Sequence, residues 1–242
     1  MSAAIEVRGL TRRFDGFTAV DGITFEVGAG EVFGFLGANG AGKTTAIKML
    51  IGLLAPTAGA ATVAGHDVLR RPDEVRRRIG YMSQRFSLYE DLTVQENITL
   101  YGGIYGLTDA EIAERSRALL AGLRLDHAAG DRVGALPLGW KQKLAFSVAL
   151  LHAPAIAFLD EPTGGVDPVT RRQFWELIYD AAARGTTVFV TTHYLDEAEY
   201  CDRVCIMVNG RITAIGSPEA LKLEAGVATL DELFVRLARP AA

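Results

Sequence analysis

Val32-Phe33-Gly34-Phe35-Leu36-Gly37-Ala38-Asn39-Gly40-Ala41-Gly42-Lys43-Thr44-Thr45 is the stretch on which the fold reading turns. Val32–Leu36 is a nearly continuous apolar run, as expected for a strand buried on both faces. Gly37 to Thr44 then has the spacing G-x-x-x-x-G-K-[ST], and a helical pattern opens at Lys43 and runs to about Leu54. Glycines at Gly37, Gly40 and Gly42 let the backbone N–H groups of residues such as Ala38, Asn39 and Ala41 turn into one concave space without Cβ interference. The helix N-terminus, through Thr44 and Thr45, adds its dipole and unsatisfied donors. Lys43 supplies a mobile positive charge for β- and γ-phosphates, and Thr44 offers a hydroxyl to Mg²⁺, which prefers oxygen ligands. The stretch reads as a strand, a phosphate cradle and a helix.

Further apolar runs match the first: Ala155–Leu159, Thr187–Thr191 and Val204–Val208. Helical stretches separate them, and Asp167-Pro168 places a capping side chain before a first-turn proline of a helix running to about Ala183. This alternation predicts an α/β P-loop core with a mostly parallel sheet. The first thirty residues differ: Ile5-Glu6-Val7 and Ile23-Thr24-Phe25-Glu26-Val27 alternate, are broken by glycines, and predict an antiparallel edge sheet. Met49–His66, uncharged but broken by Gly52, Pro56, Gly59 and Gly65, reads as a helix end followed by a turn. From about Gln84 to His152 the pattern is mainly helical, with capping boxes at Thr93–Glu96 and Thr108–Glu111. The expected organisation is one domain, 1–242. Its α/β core would be 1–84 plus 153–242, with an inserted helical subdomain over 85–152.

Asp160 and Glu161 follow directly on a buried strand, at the sheet edge where α/β ligands bind. Asp160 is expected to hold Mg²⁺ through water, and Glu161 to polarise an attacking water as general base. His193 ends another apolar strand on the same edge, where it would hydrogen-bond a γ-phosphate or steady the water.

Composition narrows the classes. The chain has 242 residues, 49% hydrophobic and 22% charged, enough for a core that needs no disulfide or metal staple. A formal charge of −4 lacks the basic excess of a duplex-gripping protein, so no nucleic-acid partner is expected. Cys201 and Cys205 have no metal-ligand spacing around them and read as packing residues in a reducing compartment. No stretch reads as membrane-spanning, and Met1–Glu6 has neither the basic region nor the apolar core of a leader. A cytoplasmic chain is expected. Arg70, Arg71, Arg76, Arg77 and Arg78 form a dense basic cluster, read as a solvated helix face or a contact for an acidic partner or lipid headgroups.

Taken together, these motifs resemble the ATP-binding subunits of ABC transporters, in family order from Leu10 to about Leu237. By that resemblance, Phe14 stacks on adenine. Gln84, after Ile79-Gly80-Tyr81-Met82-Ser83, is the Q-loop glutamine, reaching Mg²⁺ or water and sensing the membrane partner with the following Phe86–Leu92 loop. Asp160-Glu161-Pro162-Thr163 is the Walker B end, Gly164-Gly165-Val166-Asp167 the D-loop, and Thr191-Thr192-His193 carries the switch histidine. The implied cofactors are ATP and Mg²⁺. The implied partners are a second ATP-binding subunit, identical or not, and integral membrane permease subunits, placing the chain on the inner face of the cell membrane. Glu197–Val204 and Thr229–Phe234 are similar to bacterial exporters with ABC-2-type permeases, such as drug-resistance ATPases.

The signature departs from the family's Leu-Ser-Gly-Gly-Gln. Here it reads Leu136-Pro137-Leu138-Gly139-Trp140-Lys141-Gln142-Lys143. Pro137 replaces a serine whose hydroxyl, in the family, binds the γ-phosphate held by the other subunit, and proline has neither hydroxyl nor N–H. Leu136, Gly139 and Trp140 remain for cross-dimer contacts, with a helix expected from about Lys141 to Leu151. Lys141 and Lys143 are candidate compensating groups. Variant signatures of this kind are also similar to those of tandem ABC-2 ATPases, and pairing with a different ATPase that has an intact signature stays open. So do three other readings, the first of them, prompted by Pro137, a degenerate and weakly active ATP-binding subunit. Another P-loop NTPase would be a GTPase or kinase, although a guanine-reading Asn-Lys-x-Asp is absent. A non-transport ABC ATPase would normally carry coiled-coil arms, tandem cassettes or a basic face.

Overall fold

The computed structural model describes residues 3–84 and 87–238. Met1 and Ser2 of the leader reading and Phe86 of the transmitting loop lie outside the described residues.

Strands β1 (Ala3–Phe14) and β2 (Phe17–Gly28) form a long antiparallel hairpin. With β4 (Ala58–Val63) and β5 (His66–Asp67) they make a four-stranded sheet in the order β2-β1-β4-β5. The second sheet contains β3 (Val32–Leu36), β6 (Ile79–Met82), β7 (Ile156–Asp160), β8 (Thr187–Thr192), β9 (Arg203–Val208) and β10 (Arg211–Gly216). Its order is β10-β9-β3-β8-β7-β6, parallel except for β10, which pairs antiparallel with β9. The parallel core and antiparallel edge sheet are thus as the sequence predicts.

Period-two alternation divides the core strands between two hydrophobic layers. Phe33, Phe35, Phe158 and Phe189 face β1, β2 and helix α1 (Lys43–Leu50), and they gather around Phe25. Ring centroids there lie 5.3–5.7 Å apart for Phe35–Phe189, Phe158–Phe189, Phe25–Phe35 and Phe25–Phe33. Val32, Leu36, Ala157, Leu159, Val188 and Val190 face the other way. They meet Phe174, Trp175 and Ile178 of α6 (Pro168–Ala183) and Leu144 and Val148 of α5 (Leu138–Ala149). Each buried aromatic or branched side chain contributes about 1.5–3 kcal/mol.

Helix α2 (Pro72–Arg78) precedes β6, and α3 (Val94–Ile104), α4 (Asp109–Leu123) and α5 fill the chain between β6 and β7. Both capping boxes form: Thr93 and Thr108 each accept from the third-residue N–H while Glu96 and Glu111 reach back. Asp167 caps α6 by accepting from the N–H groups of Val169 and Thr170, each at 3.0 Å. Beyond β8 come α7 (Leu195–Ala198), α8 (Pro218–Ala225) and α9 (Leu230–Ala238).

Strand β4, helix α1 and strand β10 differ from expectation. Met49–His66 holds strand β4, whose Ala58-Gly59-Ala60-Ala61 run has no large apolar residue to mark it; pairing with β1 makes it a strand. Helix α1 ends at Leu50, four residues early, before the left-handed Gly52. Strand β10 was not marked by a buried run because it alternates half-buried and exposed. Asn209 and Gly210, at φ +48° and +81°, turn the chain back into it.

Candidate functional site

Neighbouring strands β3, β8, β7 and β6 end on one sheet edge, with Leu36 opposite Thr192, Asp160 opposite Thr191 and Met82 opposite Leu159. That register alone brings together the phosphate loop, His193, the Asp160-Glu161 pair and Gln84.

The loop is held open by its backbone. Gly42 caps α1 at φ +107°, and a Cβ there would lie 2.3 Å from the carbonyl oxygen of Ala19 in β2. No other residue type fits that position. The Gly210 N–H donates to the Ala41 carbonyl (3.1 Å), bracing the loop from behind. Lys43 is buried, and its ammonium donates to the carbonyls of Gly37 (2.8 Å) and Ala38 (3.2 Å).

Asp160 is 1% exposed. Its Oδ1 accepts the Thr191 hydroxyl at 2.6 Å, while its Oδ2 is buried with no hydrogen-bond partner among the described residues. A buried carboxylate oxygen without a donor calls for a cation or water. Asp160, the Thr44 hydroxyl and the Gln84 amide offer an all-oxygen donor set, which fits Mg²⁺. The Asp160 charge acts also on Tyr81: burial first, then this carboxylate, pushes the phenol up to about 12.

Glu161 adopts a left-handed backbone, φ +51°, uncommon for a side chain of this size. Its N–H is fixed by the Thr191 carbonyl (3.1 Å) and hydroxyl (3.0 Å). Its carboxylate is met from three sides. Lys43 Nζ lies 3.3 Å from Oε1, His193 Nδ1 lies 3.1 Å from Oε2, and Gln84 Nε2 donates to Oε2 at 2.9 Å. Three sequence-predicted residues, each following a different strand, therefore converge on the acid that follows a fourth. Such strain held by the surrounding structure is typical of functional sites.

Phe14 ends β1 and is 44% exposed, with the Arg12 guanidinium 4.6 Å from its ring centroid. Its hairpin passes the cradle at Ala19.

The signature residues gather elsewhere, in a cavity of about 420 Å³ lined by Pro137, Leu138, Gly139, Trp140, Asp167 and Thr170, among others. Helix α5 starts at Leu138, three residues before the expected Lys141, and ends at Ala149. Pro137 is its N-cap and provides no side-chain hydrogen bond. Gly139 therefore lies inside the first turn, where a Cβ would sit 2.5 Å from Thr170 Cγ2. Packing of α5 on α6 already demands glycine there. The Lys141 ammonium reaches Glu90 at 2.6 Å and that of Lys143 reaches Gln173 at 2.5 Å, so both are engaged within the chain.

Sequence reasoning missed Thr191, which anchors both Asp160 and Glu161. A polar pair closing the otherwise apolar β8 was the available signal. It also missed Asn97, wholly buried, whose side chain bonds the Tyr89 N–H (2.9 Å) and the carbonyls of Tyr89 (2.9 Å) and Thr93 (3.0 Å). That side chain shapes the turn from Tyr89 to Thr93.

A family profile described as "ABC transporter" matches residues 20–164. The chain is 44% identical over 238 residues to the "Probable multidrug ABC transporter ATP-binding protein YbhF" of Escherichia coli (strain K12), covering 96% of this chain and 41% of that protein. It thus spans about two-fifths of that relative's length. It is 41% identical over 220 residues to the "Nod factor export ATP-binding protein I" of Burkholderia lata, covering 90% of this chain and 72% of that one. A solved structure titled "Structure of ATP binding subunit of ABC transporter" superposes with a TM-score of 0.88 at 35% identity, covering 98% of this chain and all of the other.

Proposed function

The chain belongs to the ABC transporter family, and from that premise we propose that it is the ATP-hydrolysing motor of an exporter with a separate membrane permease. One observation carries the reading: Lys43, His193 and Gln84 converge on Glu161 next to the orphaned oxygen of Asp160.

In this reading the N–H groups of residues 37–45 and the Lys43 ammonium bind the phosphates, and Phe14 receives the adenine on the ring face that Arg12 leaves uncovered. Asp160 and Thr44, with Gln84, would hold Mg²⁺, which neutralises phosphate charge when bound. Glu161 takes the proton of the attacking water, and His193 steadies the γ-phosphate. Phosphate oxygens replace Glu161 as the partner of Lys43, so nucleotide binding frees the acid for its task. The Leu136–Trp140 and Asp167 face meets the nucleotide of a second ATP-binding subunit, and helices α3, α4 and α5 move as one helical subdomain.

Export is part of the name of the Nod-factor relative, and it supports assigning the same direction here. Among the described residues no helix is long and apolar enough to cross a membrane, which suits a motor seated on a permease's cytoplasmic face. We assign that contact to the cavity of about 650 Å³ bordering β6, the strand that leads to Gln84. It exposes Leu53 and Ile104 beside Arg76 and Arg77. A second reading, pairing with a non-identical ATPase, is favoured by the uncapped Pro137 start of α5.

The test is purification from native membranes. A co-purifying integral membrane protein, with ATP-dependent dimerisation of the Glu161→Gln chain, supports the reading. Purification with nucleic acid, or a monomer at saturating ATP, contradicts it.

A further inference from the structure

Glu197 is completely buried, yet none of the chemistry above uses it. It lies in α7, the short turn of helix after His193. Its Oε1 accepts the Thr163 hydroxyl at 2.5 Å and its Oε2 the Thr192 hydroxyl at 2.6 Å. Nε of Arg171 lies 3.3 Å from Oε1. Thr163 and Thr192 are themselves 1% exposed. The Thr192 hydroxyl also accepts the Tyr194 N–H (3.0 Å), and the Arg171 guanidinium lies 4.3 Å from the Tyr194 ring centroid. The turn that carries His193 is thus gripped on both sides.

One carboxylate therefore ties three segments. Thr163 stands two residues after Glu161, Thr192 immediately precedes His193, and Arg171 belongs to the first turns of α6, whose cap is Asp167. The contact between His193 Nδ1 and Glu161 Oε2 depends on the first two segments keeping their relative position. The left-handed backbone of Glu161 likewise persists only where its surroundings over-determine it. A buried carboxylate is costly to desolvate, and a well-packed apolar side chain would give equal or greater stability. What the apolar side chain could not do is accept two hydroxyls and pair with the charge of a guanidinium from a third direction.

We propose that Glu197 is a positioning residue of the hydrolytic centre, holding Glu161 and His193 in fixed relation and linking both to the Asp167 end of α6. It touches none of the reacting groups. The inference rests on Glu161 and His193 acting in ATP hydrolysis.

The test compares Glu197→Gln, Thr163→Val and Thr163→Ser with the parent. All are full chains assembled with their permease, and rates are expressed per nucleotide-binding site. Glutamine keeps the shape but presents an NH₂ to Arg171 or to a threonine hydroxyl. Valine keeps Thr163's shape without its hydroxyl. Displacement of catalytic groups by about an ångström predicts kcat lower by roughly tenfold or more in Glu197→Gln, with KM for ATP within about twofold. Thr163→Val falls in the same direction, and Thr163→Ser returns kcat to within about twofold of the parent. An unchanged kcat in Glu197→Gln and Thr163→Val overturns the proposal. So does a loss that appears only per chain and vanishes per nucleotide-binding site, the mark of a merely structural role. Should Glu197→Gln fail to fold, the Thr163 pair decides by the same criteria. A parent that does not hydrolyse ATP would instead refute the ATPase reading.

Discussion

The Lys43 ammonium lies 3.3 Å from Glu161 Oε1, with side-chain exposures of 4% and 10%. The cradle's cation and the acid thus neutralise one another inside the protein. In the proposed function a nucleotide takes Lys43 from Glu161, so the acid would compete with the γ-phosphate for the same charge.

Removing that competition has a measurable result. Glu161→Gln is expected to bind ATP at least as tightly as the parent. Lys43→Ala, which removes a charge-assisted contact of about 1.5–3 kcal/mol, weakens binding by roughly tenfold or more. Titration with a fluorescent ATP analogue reads both. Weaker binding by Glu161→Gln would contradict the competition.

Asp160→Asn addresses the orphaned oxygen. The amide keeps an acceptor for Thr191 but loses the charge that favours a divalent cation. Nucleotide affinity in chelator should stay close to that of the parent, while the gain on adding magnesium disappears. Parent and variant responding equally to magnesium would remove Asp160 from the cation site.

His152 packs against Tyr105, ring centroids 3.8 Å apart, and its Nε2 is 3.1 Å from the Ile79 carbonyl. Burial holds its pKa below 6.5, partly offset by that carbonyl and aided by the Arg115 charge. The unfolded chain therefore binds a proton there more readily than the folded one. The sign follows: its contribution is present above the unfolded pKa and is lost as pH falls through the folded value. Denaturant midpoints between about pH 7 and 5 should fall less steeply in His152→Gln than in the parent. Parallel slopes would contradict this.

Cys201 and Cys205 are buried and free, and burial pushes both thiols well above their ordinary value. With almost no thiolate present, a thiol reagent at about pH 8 should leave the native chain unlabelled and label both residues in denaturant. Rapid labelling of the native chain would contradict the packing.

The sheet edge that gathers the candidate site is legible in the sequence because its markers are local. A buried strand followed by a glycine loop, or by an acidic pair, names its own position on a parallel sheet. The cradle, Asp160-Glu161 and His193 all carry such markers, and the structure places them on one edge. Glu197 and Asn97 carry none, because their partners come from segments distant in sequence or from loops without a pattern. Strand β4 escaped for a related reason: its small residues pack only where β1 supplies the partner. The start of α5 is hidden in the sequence because Pro137 stands where the family has its signature serine. The structure makes it the cap of a helix already begun at Leu138.

Single-turnover hydrolysis of ATP by the parent and Glu161→Gln, at equal occupancy of the nucleotide site, tests the central claim most directly. The account predicts a variant that retains ATP and cleaves it slower by about 100-fold or more, the usual contribution of a general base. Cleavage at the parental rate would contradict it.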